Sequence, residues 1–251
     1  DQLNGGRGND AYRYDKGDGA DRITDSQAWL GDDGLPAYET NTLSLGAGIT
    51  RDLITPRLAP TSRELTLDFG NGDNVNLGSV DNLAIQAIAF ADGSTQSIGA
   101  FLAAYSFDIT GTAAGEYLYG TPYNDHITEL GGNDYLTGGA GSDTYYYNRG
   151  DGADIIADSQ NVWGGTDSNT LVFGPGITPE MVTPRRGPEP DGLCILDLGN
   201  GDSVAVGSLS DLVIHGINPN LNPFDGFAIQ TLQFVDGTTM SVQDFVLAHG
   251  L

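Results

Sequence analysis

Four acidic residues, Glu116, Asp125, Asp134 and Asp143, stand nine residues apart, and a repeat that short excludes most ways of folding a chain. A helical hairpin needs a repeat of about 34 residues, whereas nine residues hold one tight six-residue turn and one short strand. Asp154 follows after two extra residues, and each acid has an apolar residue two positions on, namely Leu118, Ile127, Leu136, Tyr145 and Ile156. The start of the chain does the same with Asp1 and Leu3, Asp10 and Tyr12, and Asp21 and Ile23. Asp1 reads as the tail of a cut repeat, and the chain as a piece of something longer.

A longer repeat encloses this one. The run from Gly5-Gly6-Arg7-Gly8-Asn9-Asp10 to Asp25-Ser26-Gln27 matches Gly138-Gly139-Ala140-Gly141-Ser142-Asp143 to Asp158-Ser159-Gln160 at an offset of 133. Asn41-Thr42-Leu43 then matches Asn169-Thr170-Leu171, Leu67-Asp68-Phe69-Gly70-Asn71-Gly72-Asp73 matches Leu196-Asp197-Leu198-Gly199-Asn200-Gly201-Asp202, and Ala84-Ile85-Gln86 matches Ala228-Ile229-Gln230. The last offset has grown to 144, which places an insertion of about fifteen residues around Val213 to Phe227 in the second copy. The predicted organisation is two domains, 1–107 with turns over 1–26 and 108–251 with turns over 108–160, each ending in a cap.

Glycine explains what the turns do. Gly138, Gly139 and Gly141 can take positive φ, which lets the backbone curl until several carbonyls face one point. Asp143 adds a carboxylate there, and clustered hard oxygen donors suit Ca²⁺ better than Mg²⁺. The apolar residue two places on points inward, so stacked turns enclose a narrow core with ions outside it. A single Gly-Gly-x-Gly-x-Asp would read equally as an ordinary turn. An unbroken register and a duplication do not.

These residues closely resemble the RTX, or haemolysin-type calcium-binding, family, whose nonapeptide is Gly-Gly-x-Gly-x-Asp-x-U-x with U apolar. The resemblance implies an all-β fold, a parallel β-roll in which two successive repeats make one turn, here duplicated and followed each time by a hairpin-rich cap with a short helix. It implies Ca²⁺ between turns two repeats apart, pairing Glu116 with Asp134, Asp125 with Asp143, Asp134 with Asp154, and Asp1 with Asp21. The implied metal-binding set is Asp1, Gly5, Arg7, Gly8, Asp10, Gly17, Gly19 and Asp21 in the first copy. In the second it is Glu116, Asp125, Asp134, Gly138, Ala140, Gly141, Asp143, Gly150, Gly152 and Asp154. Roughly three to five ions follow at six to eight oxygens each. The sequence departs from the motif at Glu116, at Tyr123, and at Glu129-Leu130 in place of the first two glycines.

After each array the pattern changes. Leu65, Leu67 and Phe69 alternate up to Asn71-Gly72, with Val75 and Leu77 beyond; Cys194, Leu196 and Leu198 do the same around Asn200-Gly201, with Val204 and Val206 beyond. Both are β-hairpin signatures, and Cys194, aligned with Leu65, reads as a core residue. Asp92-Gly93 and Asp236-Gly237 read as turns before short helices near Ser97 to Tyr105 and Ser241 to Ala248, with Ser241 and Asp244 resembling a capping arrangement. These stretches resemble the haemolysin-type calcium-binding-related segment that follows RTX turns, and they would cover the open end of the roll.

With 34 Asp and Glu against 10 Lys and Arg, a net charge of −24 works against a nucleic-acid backbone or an anionic membrane. His126, His215 and His249 form no zinc motif, and no nucleophile elbow, phosphate loop or dinucleotide fingerprint appears. Catalysis is not expected. Arg185 and Arg186, on a Pro-rich linker, read as a solvated loop, and the insertion with His215, Asn218, Asn220, Asn222, Phe224 and Phe227 as a surface loop. Lys16 is the sole lysine, so the lysine-acylated activation region of pore-forming RTX toxins is not represented.

The expected function is a non-catalytic calcium-binding module of a large RTX protein, secreted by or displayed on a Gram-negative bacterium. It would fold on extracellular Ca²⁺, aid type I secretion and act as a spacer, without inserting into membrane. The alternatives are an adhesin segment whose caps bind glycan or a protein partner, and the tail of an RTX lipase, protease or epimerase.

Overall fold

The computed structural model describes residues 1–25, 28–30, 36–158, 167–188, 192–208 and 227–251. They divide into two units, Asp1–Tyr105 and Ser106–Leu251.

The first unit runs β1 (Gln2–Leu3), β2 (Ala11–Tyr14), β3 (Ala20–Ile23), β4 (Ala28–Leu30), β5 (Pro36–Tyr38), β6 (Thr42–Leu45), β7 (Thr55–Leu58), β8 (Glu64–Gly70), β9 (Asp73–Ser79), β10 (Ala87–Ala89), β11 (Thr95–Ser97) and α1 (Ile98–Leu102). One sheet has the order β1-β3-β9-β8-β7, a second β11-β10-β6-β2, and β4 pairs with β5 alone.

The second unit has β12 (Ser106–Thr110), β13 (Tyr117–Tyr119), β14 (Asn124–Thr128), β15 (Tyr135–Thr137), β16 (Thr144–Tyr147), β17 (Ala153–Ile156), β18 (Thr170–Phe173), β19 (Thr183–Arg186), β20 (Leu193–Gly199), β21 (Asp202–Ser208), β22 (Thr231–Gln233), β23 (Thr239–Ser241) and α2 (Val242–Ala248). Its sheets are β12-β14-β16-β18-β22-β23 and β13-β15-β17-β21-β20-β19.

The fold is an all-β roll. β12 pairs in parallel with β14, Ser106 opposite Asn124, and β13 with β15, Tyr117 opposite Tyr135, so two nine-residue repeats complete one coil. Tyr135 then lies opposite Ile155, where the two extra residues before Asp154 are absorbed in the turn. Leu118, Ile127, Leu136, Tyr145 and Ile156 all join one apolar cluster drawn from both sheets, because strand alternation sends the residue after each exposed position inward.

The segments after the turns do not sit on the roll as separate flanks. β9 joins β3 and β21 joins β17 in parallel, and β18 and β22 extend the other sheet beyond β16. Antiparallel strands β7 and β8, β19 and β20, β11 and β23 follow them outward. Each hairpin closes on Asn-Gly with both turn residues at positive φ, 57° and 92° at Asn71-Gly72 and 56° and 96° at Asn200-Gly201, the backbone that matches strand twist. Ser97 and Ser241 cap α1 and α2, accepting hydrogen bonds from the Ala100 and Asp244 amides at 3.2 and 3.0 Å.

Two expectations about surface loops need correction. Arg185 and Arg186 are not on a linker but on β19, and Arg185 pairs with Asp197 of β20 at 2.7 Å. Phe227 is buried in the core and bridges to Gly207, because the duplicated register resumes at this residue. His215, Asn218, Asn220, Asn222 and Phe224 lie outside the described residues.

Candidate metal centre

Stacking the coils at an 18-residue register sets the acidic residue of each turn directly over its counterpart. A backbone ladder follows. The Glu116 amide donates to Asp134 Oδ1 at 2.7 Å, and the Asp134 amide to Asp154 Oδ1 at 2.8 Å. In the other row the Asp125 amide donates to Asp143 Oδ1 at 2.8 Å. In the first unit the Asp1 ammonium meets Asp21 Oδ1 at 2.7 Å, with the Asp1 side chain left exposed. All four sequence pairs are therefore neighbours. The Asp10 amide donates to Asn41 Oδ1 at 2.9 Å, and the Asp143 amide to Asn169 Oδ1 at 2.8 Å, so each of these acids ends its row.

Each ladder bond uses one carboxylate oxygen and leaves the other. Asp10, Asp134, Asp143 and Asp154 each have a buried Oδ2 with no hydrogen-bond partner. Asp125, Asp134, Asp143 and Asp154 are at most 2% exposed. A buried carboxylate oxygen without a donor costs free energy, and a hard cation is the ligand that satisfies it.

The glycines give that space its shape. A methyl group at Gly111 or Gly120 would lie 2.6 Å from the Glu116 or Asp125 carboxylate, and at Gly5 or Gly138 it would collide with Asp10 or Asp143. Gly139 and Gly141 sit at φ 101° and 112°, Gly6 and Gly8 at 87° and 112°. No three His, Cys, Asp or Glu side chains among the described residues form a side-chain cage. A cation there would draw on turn carbonyls as well, such as those of Gly5, Arg7, Gly8, Gly17, Ala140, Gly141 and Gly150. The Gly19 and Gly152 carbonyls already accept the Tyr14 and Tyr147 hydroxyls and, from β9 and β21, the Asn74 and Ser203 amides at 2.9 and 2.8 Å, so both lone pairs of each are taken within the protein.

Burial without a counter-charge moves these groups far from their ordinary ionisation. Asp143 is pushed up to about 8, by desolvation first and then by Asp158 and Asp125. Asp154 is pushed up to about 7 by desolvation, with Asp134, Asp151 and Asp202 adding to it, and Asp134 is raised by desolvation as well. A bound cation reverses the penalty.

Several residues outside the implied set hold the ladder's end. Asn169 Oδ1 accepts from the Asp143 amide at 2.8 Å, and Gln230 Oε1 accepts from the Asn169 amide at 2.6 Å. Asn41 and Gln86 repeat this in the first unit. Tyr145 receives the Gly138 amide and donates to Asp158, as Tyr12 does with Gly5 and Asp25. Asp202 receives the Gly150 amide and Asp73 the Gly17 amide, both at 2.9 Å. Every one lies in the duplicated segments, which is the signal that marks them.

In the sequence Glu129 stands out only as a departure from the motif, and Asp151 occupies one of its variable positions. Glu129 is 1% exposed, has an unpartnered Oε1, and is pushed up to about 9 by desolvation, with Asp151 and Asp154 adding to it.

A family model described as RTX calcium-binding nonapeptide repeat (4 copies) matches residues 110–145 and 119–156. No curated protein matches the chain. Residues 110–156 are RTX calcium-binding repeats, and they are the residues that build the ladder of the second unit.

Proposed function

We propose, from the RTX repeats of residues 110–156, that this chain is a calcium-coupled folding module of a secreted bacterial protein. One observation carries the reading: four turn aspartates, Asp10, Asp134, Asp143 and Asp154, are bonded through Oδ1 or held in place while a buried Oδ2 has no partner. With calcium, the free oxygens and the turn carbonyls share the ion; without it, the roll stacks unneutralised carboxylates. Binding free energy is then folding free energy.

In calcium-poor cytoplasm the chain would remain expanded, and millimolar extracellular calcium would fold it, favouring export through a type I channel in one direction. Its mature role would be structural, as a spacer, with no chemistry of its own. Unit boundaries near Tyr105 and Ser106 support two roll-plus-cap domains.

The test is a Ca²⁺ titration of EDTA-stripped protein followed by far-UV circular dichroism, with Mg²⁺ as control. A cooperative gain of β signal with Ca²⁺ alone is expected, and Asp143→Ala should shift its midpoint upward by about tenfold. Full β signal in EDTA would overturn the folding role.

A further inference from the structure

The turn in which Glu129-Leu130 replaces the first two glycines of the motif has the buried acids Asp151 and Asp154 beside it. Position 129 belongs to the series Gly111, Gly120, Glu129, Gly138, the first residue of each turn. At the other three positions a side chain would run into the acid five residues on. Glutamate at 129 is therefore not a neutral replacement for glycine. It places a carboxylate where the neighbouring turns leave room for their own acid.

Its turn lies against the next but one. Gly132 bridges in parallel to Gly152, and a methyl group at Gly131 would be 3.7 Å from the Gly150 carbonyl and 3.9 Å from that of Asp151. Between these two turns Glu129 meets the Asp151 side chain, which is itself buried and held by the Asn148 amide at 2.5 Å through Oδ2. A proton shared by the two acids would bind one oxygen of each. It would leave Glu129 Oε1, Asp134 Oδ2 and Asp154 Oδ2 still buried without partners. A divalent cation accepting six or more oxygens has room for several of them at once.

We propose that Glu129 and Asp151 bind a Ca²⁺ ion through their own carboxylates, together with main-chain carbonyls of the Gly131-Gly132 and Gly150-Asp151 turns. This rests on the calcium-binding reading and adds two ligands that the nonapeptide does not contain. The site carries more fixed charge than the Asp125–Asp143 row, so it fills first. It also adjoins the cap, because Asp202 at the start of β21 holds the Gly150 amide at 2.9 Å. The first ion to bind therefore fastens the turn from which the cap strands continue.

Isothermal titration of the full chain with Ca²⁺ tests this, with E129Q, E129G and D143A beside wild type. E129Q keeps the volume and removes the charge, while E129G restores the residue of the neighbouring turns, so a fold that tolerates Gly120 and Gly138 tolerates it. Both should weaken the tightest step by at least about tenfold or remove one ion from the stoichiometry, and D143A should leave that step in place. Unchanged ion number and affinities in E129Q would overturn the proposal, as would a loss seen in E129G alone, which points to packing. Wild type that takes up no calcium would instead remove the calcium-binding reading, and this site with it.

Discussion

A carboxylate enclosed by protein must find a donor, a proton or a cation, and Asp143 shows which it has. Its Oδ1 takes the Asp125 amide, its Oδ2 has nothing, and Asp158, Asp125 and the Tyr145 hydroxyl face it. The sign of the pH dependence follows. A carboxylate raised from near 4 to about 8 binds more protons in the folded than in the unfolded chain between those values, so the calcium-free fold loses stability as pH rises from about 4 to 8. In EDTA, far-UV circular dichroism should therefore show more β structure at pH 5 than at pH 8, where the calcium-free chain is expanded. Asp143→Asn should flatten that difference and favour the compact calcium-free form while weakening calcium binding; equal spectra at both pH values would contradict it. The aspartates were legible in the sequence because a period of nine fixes them in one column. Glu129 and Asp151 are not, because Glu129 breaks the motif, Asp151 stands at one of its variable positions, and only the stacking of their turns brings them together.

Between the elements, the ladder has to end, and it ends in amides. Asn169, in the turn before β18, accepts from the Asp143 amide while its Nδ2 donates to Asp158 at 2.8 Å and to the Ala228 carbonyl at 3.0 Å. A third acid here would face Asp158 and lose both donors. Asn169→Asp should cost about 2–4 kcal/mol of unfolding free energy in saturating calcium by urea denaturation, since it leaves buried acceptors unpaired beside a new charge. A loss below about 0.5 kcal/mol would mean that the cap does not depend on this junction. The hairpins were legible from their alternation and Asn-Gly turns, as was the core position of Cys194. Their parallel attachment to the roll was not, because β21 reads as one arm of a local hairpin while its other edge pairs with β17, about fifty residues earlier in the chain. The strand that carries Arg185 is hidden in the sequence for the same reason, since β19 contains Pro184 and few apolar residues yet pairs along β20.

At the scale of the molecule, the question is whether ions bound in the turns hold only the turns or the caps as well. The continuous sheets argue for the caps, because β17 and β21 share backbone hydrogen bonds and the core cluster of the second unit runs from Leu118 to Val246 without a break. Loss of the roll would expose the inner face of the cap, and self-repulsion at a net charge of −24 opposes compaction until calcium neutralises part of it. The chain carries its own reporter. Cys194, its single cysteine, is fully buried on β20, and desolvation pushes its thiol up to about 12. With calcium at a hundred times its dissociation constant, one ion adds about 2.7 kcal/mol to the folded state, which corresponds to a hundredfold fall in the open population. Reaction of Cys194 with an aromatic disulfide reagent at pH 8 should therefore slow by at least about a hundredfold when calcium replaces EDTA, since access to a buried thiol requires opening. Equal and slow reaction in both conditions would show that the second cap stands without its ions, confining calcium to the turns; equal and fast reaction would show that β20 opens whether or not they are filled.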